Sequence, residues 1–160
     1  MARLDVSLSS WELDQYLTEQ RTARVATVGP DDRPHVIPLW FVWVDGALFV
    51  NTTRGNRSVR NLERNPAAAA TIDDGEGYDE LRGVTLAGKM RAADDDPLLD
   101  EVVAAFSGKY FGGNAPHFTA WRNRFFLKLV PDRTSSWDFR KIPEARARRD
   151  AARARTRPPT

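Results

Sequence analysis

The chain has 160 residues and no cysteine. Disulfides, a thiol nucleophile and a thiolate metal site are therefore excluded. Histidine is scarce: His35 and His117 stand alone, far apart and without a partner at ligand spacing. This disfavours a histidine-rich metal centre. A Ser/His/Asp triad lacks a positioned base, because His35 falls in a strand pattern and His117 in a loop. No apolar run approaches membrane-spanning length, so no membrane partner is expected. The residues after Met1 lack the apolar core of a secretory signal, and the expected location is the cytoplasm.

Hydrophobic residues make up 41% and charged residues 29%, the balance of one soluble globular domain. The net charge of +2 is unevenly spread. Residues 141–160 carry seven Lys or Arg against Glu144 and Asp150, which is +5 and leaves −3 for residues 1–140. An acidic body disfavours nucleic acid as a partner. The division expected is a domain over 1–140 and a basic tail over 141–160, mobile or weakly helical.

Periodicity orders the body. Ser9 and Glu12 form a capping box, followed by a helix with Trp11, Leu13, Tyr16 and Leu17 on its apolar face. Strands are expected over 23–28, 35–44 and 47–52, with Asp45-Gly46 as the hairpin turn. Pro38 interrupts the second strand and marks an edge, a bulge or a bend. A helix begins near Asn56 and stops at Asn65-Pro66. Strands over 67–72 and 82–91 follow, then a helix opened by Asp96-Pro97. A glycine-bearing loop over 108–118 and two strands over 124–130 and 134–139 complete the body. Hairpins dominate, so the fold expected is mainly β (α+β), a closed or half-closed barrel of six to seven mostly antiparallel strands.

Two segments carry chemistry. In the first, a strand delivers Asn51, Thr52 and Thr53 to a glycine turn, and a helix starts at Asn56 with Arg57, Ser58 and Arg60. Amide and hydroxyl groups, cationic forks and the free N–H groups of a helix start together make an anion site. A capped, arginine-rich surface helix fits the same residues. In the second, His35-Val36-Ile37-Pro38-Leu39-Trp40 is too apolar for a strand wetted on one side. A planar ring or a partner subunit covers one face, or the strand is plain core.

With these residues in view, the chain over 24–73 resembles the pyridoxamine 5′-phosphate oxidase-like superfamily of split-barrel flavoproteins. Within it, the chain looks closest to the actinobacterial flavin/deazaflavin oxidoreductases. The matching pieces are Val25-Ala-Thr-Val, Arg33-Pro-His-Val-Ile-Pro-Leu-Trp-Phe, Phe49-Val-Asn-Thr, Arg57-Ser-Val-Arg-Asn-Leu and Asn65-Pro. The closing Ser136-Trp-Asp-Phe-Arg-Lys141 also looks like that family's last strand.

The resemblance implies an FMN-binding-like split β-barrel with flanking helices, assembled as a homodimer with cofactor at the interface. It implies that His35 to Trp40 run along the flavin or deazaflavin ring. It implies that Asn51, Thr52, Thr53, Asn56, Arg57, Ser58 and Arg60 hold the phosphate. The family commonly has Ser-Arg-Lys where this chain has Asn56-Arg57-Ser58, so one cation is missing here. Coenzyme F420 is the cofactor expected, with FMN as the alternative. The arginines around the helix start, Arg54 included, suit an anionic polyglutamate tail. The expected activity is hydride transfer to an unsaturated small-molecule substrate, the cofactor supplying the chemistry and no catalytic side chain being singled out. Binding or sequestration without turnover, and a structural or regulatory dimer with an empty groove, are the other readings. The stretch Lys109-Tyr110-Phe111-Gly112-Gly113 suits a lid, or a helix end packed on the core.

Overall fold

The structure, a computed structural model, describes residues 4–114 and 123–156. Helix α1, Ser10–Glu19, starts at the expected capping box: Glu12 N–H meets Ser9, and the Glu12 carboxylate accepts from the Ser9 N–H at 2.7 Å. Tyr16 and Leu17 are buried and Leu13 packs beside them, whereas Trp11 is 70% exposed. Trp11 lies two positions before Leu13, about 200° around a helix of 3.6 residues per turn, and so points away from the stripe.

Strands β1 (Thr22–Val28), β2 (Pro34–Val44) and β3 (Ala47–Thr53) follow. The β2–β3 hairpin turns on Asp45 and Gly46, both at positive φ, the conformation a two-residue turn of primed type requires. Helix α2, Arg57–Arg64, is capped by Asn56, whose side-chain oxygen accepts from the Val59 N–H at 2.9 Å. Next come β4 (Ala67–Asp74), β5 (Arg82–Ala92), helix α3 (Leu99–Phe111), β6 (Arg124–Asp138) and helix α4 (Ile142–Thr156). Strands pair in the order β1-β2-β3-β6-β5-β4, with β4 returning to β1, and every pairing is antiparallel. The fold is thus a closed six-stranded antiparallel barrel with flanking helices.

Three further expectations need correction. The two strands expected over 124–130 and 134–139 are one strand, β6. Pro131 does not break it, because a bulge between Ala87 and Gly88 takes up the misfit. Second, Asp96-Pro97 forms a turn before α3 rather than its first turn; the Leu99 N–H donates to the Asp96 carbonyl at 3.0 Å. Third, residues 108–111 are helical, not a loop, and the left-handed Gly112 ends the helix. Residues 115–118 of the expected loop, His117 included, lie outside the described residues.

Alternation along the strands creates two apolar layers. Inside the barrel, Ala23, Val25, Phe41, Leu48, Val50, Ile72, Leu86, Met90 and Leu129 pack with Tyr16 and Leu17. Outside it, α3 covers β2, β3 and β6 through Val42, Val44, Phe49, Phe126, Val102 and Phe106. The two layers leave α2 at one end of the barrel and the outer face of β2 exposed at Pro34, Val36 and Pro38.

Candidate functional site

Seven residues of β2, Pro34 to Trp40, pair with β1 alone, and only Phe41 to Val44 pair with β3. The first half of β2 is therefore an edge within the barrel wall. Pro38 sits in that half, opposite Arg24, where its missing N–H leaves no gap on the β3 side. The six expected ring contacts divide between two faces. His35, Ile37 and Leu39 are half-buried, and Leu39 packs on the barrel core. Val36, Pro38 and Trp40 are exposed on the outer face, at 56% and 48% for Val36 and Trp40.

Trp40 is not free, however. Its indole stacks on Tyr110, with centroids 4.5 Å apart, and meets Phe111 edge-on at 6.1 Å. Lys109 to Phe111 are thus the last turn of α3 packed against β2, a wall rather than a loop. The Tyr110 hydroxyl accepts from the Phe41 N–H at 3.0 Å and faces the carbonyls of Arg21 and Phe41 at 2.6 and 2.8 Å. Burial pushes its pKa up to about 12.

At the barrel end, the expected phosphate residues part company. Asn51 and Thr52 are buried. Asn51 accepts from Arg124 at 3.0 Å, and Thr52 accepts from the Asn56 amide at 2.7 Å. These contacts hold the strand end and the helix cap together. Thr53 is exposed. Arg54 turns away, paired with Asp94 and lying 4.2 Å over the Phe125 ring. Ser58 is 2% exposed, and its Oγ has no hydrogen-bond partner. Asn61, one turn on, is also buried and donates to Thr27 at 3.0 Å.

Arg57 and Arg60 do converge. Together with Arg64, Asn61, Pro30 and Asp31 they line a cleft of about 540 Å³ between α2 and the β1–β2 turn. Arg64 donates to the Val28 carbonyl at 2.8 Å and Arg60 to the Gly55 carbonyl. None of the three has a carboxylate partner among the described residues. The N–H groups of Arg57 and Ser58, at the first two helical positions, have no acceptor within the helix. Sequence reasoning missed Arg64. Its signal was present in the spacing: 57, 60 and 64 recur at i, i+3 and i+7, one face of a helix.

The three arginines can grip a polyanion, and the outer face of β2 exposes apolar side chains. Among the described residues no group of three or more His, Asp or Glu is placed to hold a metal ion. No helix among them is long and apolar enough to cross a membrane.

Comparison with known proteins bears on the fold. A search of curated proteins finds no match. Among solved structures, the conserved hypothetical protein Rv2991 from Mycobacterium tuberculosis is similar, at 29% identity and a TM-score of 0.79, over 89% of this chain and 92% of that one. HutZ, the heme storage protein from Vibrio cholerae, shares the fold at 23% identity and a TM-score of 0.65, over 85% and 96% of the two chains. A structure named F420 reductase shares it at 24% identity and a TM-score of 0.57, over 76% and 94%. The family model for pyridoxamine 5′-phosphate oxidase matches residues 10–138, which span all six barrel strands, and the chain belongs to that family.

Proposed function

We propose that the arginine cleft beside α2 holds the phosphate of coenzyme F420, or alternatively of FMN, and that the protein reduces an unsaturated small molecule at the interface of a homodimer. The observation that carries this reading is the convergence of Arg57, Arg60 and Arg64 without a carboxylate partner among the described residues. Guanidinium forks match phosphate and carboxylate oxygens in pairs. The donor set fits an anionic group, and Asp31 of the same lining is paired with Arg33.

Ser58 adds no charge to it. That position is buried, so binding rests on the three arginines. Arg54 is engaged with Asp94, and contact with an anionic tail falls to Arg60 and Arg64. Two arginines beyond the one nearest the helix start favour F420, with its polyglutamate tail, over FMN. The outer face of β2, with Val36, Pro38 and Trp40 exposed beside an unpaired strand edge, suits a planar ring covered by a second subunit. The bound group supplies hydride transfer; the chain positions it and excludes water. Binding without turnover uses the same cleft, and the fold is shared by a protein named for heme storage.

Fluorescence titration with F420 and with FMN tests the reading. Arg57→Ala should weaken binding roughly tenfold or more, because charge-assisted hydrogen bonds contribute about 1.5–3 kcal/mol. Failure of both cofactors to bind below high micromolar concentration rejects the cofactor site. A hydride-transfer assay with reduced cofactor then separates enzyme from carrier.

A further inference from the structure

A second cleft, of about 430 Å³, opens on the other side of α2. No residue lines both clefts. Its floor is the end of the barrel core: Val59, Leu62, Met90, Phe125 and Leu127, all buried. Its rim is charged, with Arg54, Arg91 and Glu63. An apolar floor with a few polar groups at the mouth is the usual build of a small-molecule pocket, and the volume lies within the common range of about 300–1,000 Å³.

We propose that this cleft binds a small amphipathic anion, an apolar body ending in a carboxylate or sulfonate. The floor selects the body, since each buried methylene contributes about 0.8 kcal/mol. The rim selects the charge. Arg54 is already held by Asp94 and covers Phe125 as one wall. Arg91 is exposed on β5 and has no ion pair among the described residues. Glu63 is the one carboxylate of the lining and repels an anion, which assigns the charged end to Arg91. The site stands apart from the cofactor reading and needs no flavin or F420 for its test.

The probes are the fluorescent anion anilinonaphthalene sulfonate, octanoate and uncharged octanol, used on the full chain without added cofactor. Octanoate should displace the dye better than octanol by about fivefold, the upper end of what one partly exposed ion pair contributes. Arg91→Gln should remove that preference, and Glu63→Gln should strengthen octanoate. Ala92→Trp, which fills the cleft from an exposed strand end, should abolish binding of both. Amide shifts on octanoate binding should centre on Val59, Leu62, Met90 and Leu127. The proposal is overturned if octanoate does not displace the dye, if Ala92→Trp binds as the parent does, or if the shifts centre on Arg57, Arg60 and Arg64.

Discussion

The ring of Trp40 lies parallel to that of Tyr110, with centroids 4.5 Å apart and planes 10° apart. This stack joins the outer face of β2 to the last turn of α3, and the Tyr110 hydroxyl closes the end of the β1–β2 ladder. Tyr110→Phe keeps the stack and removes the hydroxyl. Burying the Phe41 N–H without its acceptor should cost about 1–3 kcal/mol, read as a lower urea midpoint at unchanged slope. Tyr110→Ala should cost more, because the stack and its area are lost as well.

Gly83 is the seat of Trp137. A Cβ at this position would collide with the indole and lie 2.9 Å from the Ile72 carbonyl oxygen. Gly83→Ala should therefore destabilise the barrel by about 1–3 kcal/mol, as overpacking does. The tryptophan emission should shift as the indole is pushed toward solvent. An unchanged midpoint and spectrum would show that β5 yields at this point.

Glu12 sits 2.6 Å from Lys141, with the Ser9 N–H and hydroxyl at 2.7 and 2.8 Å. The Lys141 bond first, then those from Ser9, hold its carboxyl down at about 2, against an ordinary 4.5. A depressed carboxylate stabilises the fold above its unfolded pKa and loses that contribution as pH falls toward the folded value. Stability should drop between about pH 4.5 and 2, and Glu12→Gln should flatten that part of the profile. The pair is partly exposed, so added salt should shrink the difference.

Lys109 presents the opposite case. Its amine lies 4.3 Å over the Phe41 ring with a 3.5 Å contact to the Leu17 carbonyl and no ion pair among the described residues. Burial first, then Arg21, lower its pKa to about 8 from 10.5. Between those values the unfolded chain binds more protons, so this contribution to stability rises with pH. Lys109→Met should be more stable than the parent at neutral pH. The gap should narrow between about pH 8 and 10.5. A constant gap across that window would place the effect in packing instead of charge.

Local chemistry made much of the fold legible. The Ser9 and Asn56 caps and the Asp45-Gly46 turn each announce a boundary that short-range geometry enforces. Pairings that depend on distant residues were not legible. Pro131 reads as a break, yet β6 continues because Gly88 on β5 lets the strands close up; a Cβ there would lie 2.5 Å from the Val130 carbonyl oxygen. Gly108 and Gly112 look alike in sequence. Phe106 and Tyr110 packing on Trp40 carries the helix through the first, and it stops at the second. The proposed anion site was legible as a helix start but not in its membership. Asn51, Thr52 and Ser58 turn inward and Arg54 turns to Asp94, choices set by the barrel interior and by β5's far end.

Helix α2 has eight residues and a cleft on either flank. Such a short partition would make the two proposed sites thermodynamic neighbours. A ligand that moves the helix on one side changes the affinity on the other, and linkage requires the same factor in both directions. Were both clefts filled as proposed, occupancy of either flank would report on the other, and an eight-residue helix would become the place where two ligand concentrations are compared.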